Sequence, residues 1–321
     1  MVFWIAVATV AVVVLATKFY YQSTMGKFDD DVSMRGKTVI VTGSNTGIGK
    51  ATALDLAKRG ARVILACRDL QRAKEAKVEI SEKSGNSSVI VMKLDLSTLE
   101  SVREFVQQFL AKEDRLDVLV NNAAAVGMAY KLSKDGMQQE LQVNHFGPFL
   151  LTILLIDILK KSSPSRVVVV SSLAHKFGSI DFDNLNCERS YPGTRRNYAN
   201  AKLANVLFAN ELARRLEGTG VTVNSVHPGL VNTEIARRMP SFWHKIYKAF
   251  IGFIFKSAED GAKTVCYLAV SDKVRDVTGK YFADCKVAEM SEEAKNEELA
   301  KTFWVKCVEL VKLQPNEICG I

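Results

Sequence analysis

Short apolar runs alternate with amphipathic stretches along this sequence from residue 37 onward. Short runs rich in β-branched residues are typical of strands, and the longer stretches between them have the spacing of helices buried on one face. The run Val167–Val170 shows no alternation, so both of its faces should be buried, as in a parallel sheet between two helical layers. The pattern therefore predicts a doubly wound, Rossmann-type α/β fold.

The predicted elements fill one domain, residues 35–321, because no internal repeat or second domain is visible. The expected strands are Thr38–Thr42, Arg62–Cys67, Val89–Lys93, Asp117–Asn121, Arg166–Ser171 and Thr222–Val226. The expected helices are Ala51–Arg59, Leu70–Ser84, Leu99–Lys112, Gln138–Leu159 and Ala199–Glu217.

The N-terminal segment differs from the rest because residues 2–17, VFWIAVATVAVVVLAT, carry no charge. With the aromatic flank that ends at Tyr21, the segment is long enough to span a bilayer. A cleaved signal peptide is the alternative, but no charged side chain precedes the run and no small-residue cleavage site follows it. We predict a membrane anchor at residues 1–21 and a polar linker at residues 22–34.

Composition excludes several classes of function. The net charge of +8 is a mild excess, and no basic block with interleaved aromatic residues is present, so nucleic acid is not an expected partner. The six cysteines and four histidines are scattered, which favours neither a metal site nor a disulfide framework.

Three glycines interrupt the chain between the first strand and the first helix, in the stretch VTGSNTGIGK. Gly43 can make the tight turn, and Gly47 and Gly49 remove side chains where a phosphate approaches or the helix packs on the sheet. The helix N-terminus would then bind a pyrophosphate through free N–H groups. An ordinary glycine-rich loop is the alternative interpretation. If a cofactor binds, the turn residues Ser44, Asn45, Thr46 and Ile48 would contact it.

Further motifs follow in the order of a known family. They are TGSNTGIG (42–49), LDL (94–96), NNAA (121–124), VNHFGPF (143–149), VVVVSS (167–172), YANAK (198–202) and HPGLVNTE (227–234). From about residue 35 to 285 the chain resembles the short-chain dehydrogenase/reductase family. The stretches LACRD, NHFGPFLLT, SSLAHKFG, AKLANVLFANELARRL and VHPGLV resemble its membrane-associated retinol dehydrogenase group. Ala124 departs from the family's NNAG motif, and we expect small repacking there.

The resemblance implies a catalytic set of Asn144, Ser172, Tyr198 and Lys202. Tyr198 would exchange a proton with the substrate oxygen, and the Lys202 ammonium, with the positive nicotinamide, should lower the pKa of its phenol. Ser172 would bind the substrate oxygen; its neighbour Ser171 should face the other way, because side chains alternate along a strand. By the same resemblance, Asn144 would hold a water molecule that links Lys202 to solvent.

NADP(H) is the expected cofactor, because Arg68 follows the second strand where an NAD site would have an acid. The next residue, Asp69, is an acid and so argues for NAD, although it can instead cap the next helix. Asp95 would lie near the adenine and Asn122 near the nicotinamide ribose, while Asn121 pairs backbone groups between strands. The other cofactor contacts implied by the resemblance are Tyr198, Lys202, Pro228, Gly229 and Thr233.

Residues 230–256 would form a substrate lid, which contains the nearly apolar stretch SFWHKIYKAFIGFIF at 241–255. It is interpreted either as an interfacial lid that admits a lipid-like substrate or as a helix that closes the core. The predicted activity interconverts an apolar alcohol, such as retinol, and its aldehyde or ketone. A steroid or other lipid carbonyl is the alternative substrate, and a non-catalytic membrane-bound scaffold is the alternative function.

The expected partners are a small apolar substrate and membrane lipid, and the oligomeric state stays open, a homo-oligomer included. No charged side chain precedes the anchor, whereas Lys18, Lys27, Arg35 and Lys37 follow it. The positive-inside rule therefore places the folded domain in the cytosol, with the endoplasmic reticulum as the expected membrane. The sequon at Asn86, in a predicted exposed loop, would report a luminal orientation by its glycosylation.

Overall fold

The computed structural model describes residues 25–231 and 256–317 and the single positions 9, 12, 16, 18 and 19. The strands in these ranges are β1 (Thr38–Thr42), β2 (Arg62–Cys67), β3 (Val89–Lys93), β4 (Val118–Asn121), β5 (Ser165–Val170), β6 (Val221–His227), β7 (Tyr281–Ala283) and β8 (Lys286–Val287).

The α-helices are α1 (Gly47–Lys58), α2 (Leu70–Ser84), α3 (Leu99–Leu110), α4 (Gln139–Leu141), α5 (Gly147–Leu154), α6 (Ile156–Lys161), α7 (Thr194–Arg215), α8 (Ala258–Val270), α9 (Glu292–Lys295) and α10 (Glu297–Leu310). A π-helical turn spans Gln142–Phe146, and 3₁₀ turns span Leu173–Phe177, Asp272–Val274 and Pro315–Glu317.

The described strands form one sheet in the order β3-β2-β1-β4-β5-β6-β7-β8. All neighbours from β3 to β7 pair in parallel, and only β8 runs antiparallel, to β7. The strand order reverses between β1 and β4, and ligands of doubly wound sheets bind outside the carboxyl ends at such a point. The predicted doubly wound parallel fold is thus confirmed.

Each face of the sheet has its own core. Ile40 of β1 and Ile64 of β2 pack on the side of α3, α5, α7 and α10. Their neighbours Val39 and Val63 pack on the other side, among buried residues of α1, α2 and α8. Burial on both faces explains why the strand sequences are continuously apolar.

The predicted helix Gln138–Leu159 is divided in the structure into α4, the π-helical turn and α5, with α6 after it. Two features of the chain mark the junction between the π-helical turn and α5. Pro148 stands in the first turn of α5 and cannot donate a backbone hydrogen bond. Gly147 packs so closely on the loop after β3 that a Cβ there would be 2.6 Å from the carbonyl oxygen of Leu96.

The predicted linker packs on the domain over the part that the structure describes. Phe28 and Met34 are buried in the core on the α1 side of the sheet. The Asp30 carboxylate accepts a hydrogen bond from Ser271 and forms an ion pair with Lys273, both at 2.8 Å. These contacts hold the segment before β1 against the loop after α8.

Two other predicted segments lie largely outside the described residues. These are the anchor at 1–21, apart from the single positions given above, and residues 232–255 of the lid, with Thr233. Among the helices that the structure describes, none has both the length and the apolar composition needed to cross a bilayer.

Candidate active site

The glycine turn at the end of β1 has the backbone that the sequence predicts. Gly43 and Gly47 have φ angles of 63° and 56°, in the left-handed region that favours glycine. A Cβ on Gly49 would lie 2.4 Å from Nδ2 of Asn122 and 2.6 Å from the Gly43 carbonyl oxygen. The side chain of Thr46, the N-cap of α1, makes no capping hydrogen bond, so it does not occupy the N–H groups of the first turn. This cradle fits a pyrophosphate group.

The two asparagines at the end of β4, Asn121 and Asn122, make different hydrogen bonds from those expected for Asn121. Asn122 donates through Nδ2 to the carbonyl oxygens of Thr42 at 2.8 Å and Gly43 at 3.4 Å. The expectation that Asn121 pairs backbone groups between strands is therefore wrong, because Asn122 does so and the Asn121 amide donates to Thr152 Oγ1 at 2.8 Å. Asn122 thereby ties the glycine turn of β1 to the end of β4.

The side chains of the other turn residues are buried or half-buried. The Ser44 side chain is fully buried, and its Oγ lies 3.5 Å from the Cys67 sulfur. Ile48 packs against the core on the α8 side, where a Cβ on Gly261 would come within 3.2 Å of its Cγ1. Asn45 and Thr46 are half-buried.

The carboxyl end of β2 carries an exposed Arg68 followed by Asp69. The Asp69 carboxylate accepts a hydrogen bond from the Arg72 N–H at 3.1 Å and caps α2, which is the second of the two roles considered for it. Asp69 is therefore used as a helix cap, and Arg68 is the exposed charged side chain beside it at this strand end. At the end of β3, one Asp95 oxygen accepts hydrogen bonds from the backbone and hydroxyl of Ser97 at 3.0 and 2.7 Å.

The loop after β6 contains the half-buried or buried pair expected at Pro228 and Gly229. Gly229 has a φ of 93°, and a Cβ there would meet the Lys256 side chain at 2.7 Å. Lys256 is itself buried and forms an ion pair with Asp284. The loop therefore packs on a lysine side chain whose charge is paired with a carboxylate.

Tyr198 and Lys202 lie one turn apart on α7, and the loop after β5 brings Ser172 to the tyrosine. The Ser172 side chain is close enough to Tyr198 to lower the pKa of its phenol. Lys202 is 1% exposed, its Nζ donates to the Val170 carbonyl oxygen at 3.0 Å, and it lies 5.5 Å from the Tyr198 ring centroid. Ser171 points away from this group, since its hydroxyl donates to the Lys202 carbonyl oxygen at 2.7 Å.

Burial dominates the electrostatics of this pair in the protein alone. The pKa of Tyr198 is raised to about 12, chiefly by burial and in smaller part by the charge of buried Glu140, and the nearby Ser172 side chain offsets only part of this rise. Burial lowers the pKa of Lys202 to about 8. In the protein alone, Lys202 therefore does not lower the pKa of Tyr198 below its ordinary value, because desolvation of the phenol is the larger effect.

Asn144 lies in the π-helical turn, and its side chain is engaged by the loop after β4. Its Oδ1 accepts from the Ala125 N–H at 2.7 Å, and its Nδ2 donates to the Ala125 carbonyl oxygen at 2.8 Å. The Asn144 amide group thus holds this loop in place. The preceding Ala124 is exposed, so its methyl group requires no repacking of the core.

A cavity of about 500 Å³ opens beside Tyr198. The residues that line it were not predicted from the sequence. Two of them, Ala174 and Phe177, belong to the stretch SSLAHKFG that was noted for its resemblance. The lining residues are Val126, Ala174, Phe177, Thr194, Arg195, Arg196, Tyr198 and Ala199. The cavity is mainly apolar and suits an apolar molecule whose polar end reaches the tyrosine.

The histidines beside the motifs are packed, as expected for histidines that are not proton relays. His145 is buried, with Nδ1 3.0 Å from Asn205 Oδ1 and Nε2 3.3 Å from the Cys307 sulfur. Burial lowers the pKa of His145 and of His227 to about 4, so both rings are neutral at physiological pH.

Comparison with known proteins agrees with this geometry. A family model described as short chain dehydrogenase matches residues 37–242. Retinol dehydrogenase 13 of Homo sapiens is 44% identical over 313 residues, which cover 96% of this chain and 94% of the relative.

Solved structures extend the comparison. An uncharacterized protein from Mycobacterium paratuberculosis has a TM-score of 0.73 and 32% identity, over 90% of this chain and 98% of that chain. A structure from Beutenbergia cavernae with NADP bound at low occupancy has a TM-score of 0.64 and 27% identity, over 78% of this chain and 96% of that chain.

Proposed function

This chain belongs to the short-chain dehydrogenase/reductase family and is an oxidoreductase, and from that premise we propose that it interconverts an apolar alcohol and its aldehyde or ketone with NADP(H). The observation that carries the proposal is Tyr198 at the wall of an apolar cavity of about 500 Å³, with Lys202 Nζ 5.5 Å from its ring centroid. A retinol-like or retinal-like substrate is proposed, because the relative that is 44% identical over nearly the whole chain is a retinol dehydrogenase.

The cofactor supplies the hydride, and the side chains of this chain handle the substrate oxygen and its proton. In reduction, the substrate oxygen accepts hydrogen bonds from Ser172 and Tyr198, and the Tyr198 hydroxyl donates its proton to it. The raised pKa of about 12 keeps Tyr198 protonated, which is the form that this direction needs. In oxidation, Tyr198 must first lose its proton, so added positive charge or a higher pH favours that direction.

NADP(H) is proposed over NAD(H) because Arg68 is exposed at the end of β2 while Asp69 is engaged as the cap of α2. The guanidinium can form charge-assisted hydrogen bonds with a 2′-phosphate. The pyrophosphate would lie in the cradle of Gly43, Gly47 and Gly49, at the N-terminus of α1.

Turnover by the purified full-length chain tests the proposal. Retinal, a steroid ketone and a short aldehyde are each offered with NADPH and with NADH, and we expect the highest kcat/KM with an apolar substrate and NADPH. Tyr198→Phe should reduce kcat by roughly 10²-fold or more, the scale of general acid catalysis, and leave NADPH binding unchanged.

Tyr267→Phe is the matched control, since it removes a phenolic hydroxyl from α8, away from the cavity, and should retain wild-type turnover. Absence of carbonyl reduction by the wild-type chain would contradict the proposed function. A Tyr198→Phe enzyme that kept more than about a tenth of wild-type kcat would exclude Tyr198 as the proton donor.

We also propose that residues 1–21 anchor the chain in the endoplasmic reticulum membrane with the folded domain in the cytosol. Asn86 is a poor reporter of orientation, because its amide donates to the carbonyl oxygens of Ala57 and Ala61, both at 2.9 Å, and is part-buried. Protease accessibility in sealed microsomes is the better test. Digestion of the domain without detergent is expected; protection until detergent is added would contradict the cytosolic orientation.

A further inference from the structure

His175 has no role in the proposed chemistry, yet it lies three residues after Ser172 and is fully buried. It belongs to the 3₁₀ turn Leu173–Phe177, which forms part of the cavity wall. The next glycine, Gly178, packs so tightly on α7 that a Cβ there would lie 2.5 Å from the Ala199 carbonyl oxygen. The turn is thus pressed against the helix beside Tyr198.

Both acceptor positions of the Ser172 carbonyl oxygen are occupied by His175. The backbone N–H of His175 donates to this oxygen at 3.1 Å, and Nδ1 lies 2.8 Å from it. A carbonyl oxygen can only accept, so the proton of the imidazole is on Nδ1. The direction of the Ser172 peptide is therefore set by one residue.

The other ring nitrogen reaches the C-terminal part of the chain. Nε2, which must be the acceptor in this tautomer, receives the N–H of Ser291 at 3.2 Å. The Tyr281 ring of β7 packs on the imidazole with 4.6 Å between ring centroids. Ser291 lies beyond residues 37–242, which the family model matches.

We propose that His175 is a positioning residue: it holds the Ser172 peptide in one orientation by joining its carbonyl oxygen to the Ser291 amide. The inference rests on the proposed function, in which the Ser172 hydroxyl orients the substrate oxygen. Ser172 Oγ also accepts from the Ala174 N–H at 3.2 Å, which ties the hydroxyl to the backbone of the same turn. Rotation of the Ser172 peptide would move that N–H and therefore change the direction of the hydroxyl. The C-terminal segment thereby contributes to the alignment of the active site.

Substitutions at His175 separate the bond from Nδ1 to the Ser172 carbonyl oxygen from the bond between Nε2 and the Ser291 N–H. His175→Asn places an amide donor near the position of Nδ1, whereas His175→Phe fills the space and can make neither bond. We expect His175→Phe to lower kcat for carbonyl reduction about tenfold or more, as a small misplacement of a catalytic group does, with NADPH binding unchanged. His175→Asn should recover part of that loss. Equal kcat for His175→Asn and His175→Phe would overturn the positioning role.

Ser291 offers a matched pair of variants. Ser291 is also the N-cap of α9, so Ser291→Ala removes the cap but keeps the N–H, whereas Ser291→Pro removes both. Its φ of −65° suits proline. We expect Ser291→Pro to have a kcat about fivefold below Ser291→Ala, the scale of one hydrogen bond, and equal values would refute the bridge. This pair decides the question if His175→Phe does not fold.

The two proposals fail in different ways. A wild-type chain that reduces no carbonyl contradicts the proposed function, and hydrogen exchange then tests the bridge instead. Exchange of the Ala174 amide, which is bonded to Ser172 Oγ, should be faster in Ser291→Pro than in Ser291→Ala. Active wild type with unchanged variants contradicts the His175 inference alone.

Discussion

Replacing Lys202 by methionine should abolish alcohol oxidation, which needs positive charge beside Tyr198, and should stabilise the fold at neutral pH. Lys202 is 1% exposed, and its ammonium donates a hydrogen bond to the Val170 carbonyl oxygen at 3.0 Å. Burial lowers its pKa from 10.5 to about 8. Because one pKa unit corresponds to about 1.4 kcal/mol, keeping this ammonium charged in the folded state costs about 3 kcal/mol at pH 7.

Methionine fills the space of the lysine stem and carries no charge. The loss of the hydrogen bond to Val170 offsets about 1 kcal/mol, which leaves a net gain of about 2 kcal/mol. For a chain of this size the gain corresponds to a rise in Tm of roughly 3 °C. The site therefore holds a charge that its function needs and its fold does not.

The pH dependence of the difference identifies its cause. Below pH 8 the lysine is protonated in both folded and unfolded chains, so the full penalty is present in the wild type. Between pH 8 and 10.5 the folded lysine is neutral while the unfolded one still binds its proton, so wild-type stability rises with pH. The advantage of Lys202→Met should therefore shrink over this range.

Thermal unfolding of both proteins without cofactor, at pH 7 and at pH 9.5 in the same detergent, measures the effect. Lys202→Gln is a control that removes the charge but keeps a donor near Val170, and it should also be more stable than wild type at pH 7. A methionine variant less stable than wild type at pH 7, or a gain independent of pH, would refute the reasoning.

Three other substitutions test separate parts of the site. Gly49→Ala should weaken NADPH binding about tenfold or more, because its Cβ would lie 2.4 Å from Asn122 Nδ2; unchanged affinity by fluorescence titration would contradict this. Arg68→Ala should weaken NADPH binding by about 1.5–3 kcal/mol and barely affect NADH, whereas equal losses would indicate a packing role. Asn86→Asp should lower the free energy of unfolding by about 1–3 kcal/mol, because a carboxylate cannot donate to Ala57 and Ala61; a urea midpoint equal to wild type would argue against this.

Much of the fold is predictable from the sequence because its signals are local. The bounds of β1, β2, β3 and α2 agree with the predicted segments, since each is a single apolar run or amphipathic period between turn residues. The division of the predicted helix Gln138–Leu159 was missed. Gly147 packs closely on the loop after β3, and the spacing of apolar residues along a helix gives no sign of such a contact. Helices α8 and α10 were also missed, because no recognised motif lies in them.

Within the candidate site, the sequence by itself determined which residues are present: the glycine turn, and Ser172, Tyr198 and Lys202 in their order and spacing. The tertiary structure decided what those residues do to one another. Asn122 donates to Thr42, 80 residues away, and Ser291 donates to His175, 116 residues away. The pKa values of Tyr198 and Lys202 likewise depend on how deeply packing buries them. Hydrogen-bond partners and desolvation come from distant parts of the chain, and a local pattern carries no information about which distant groups will meet.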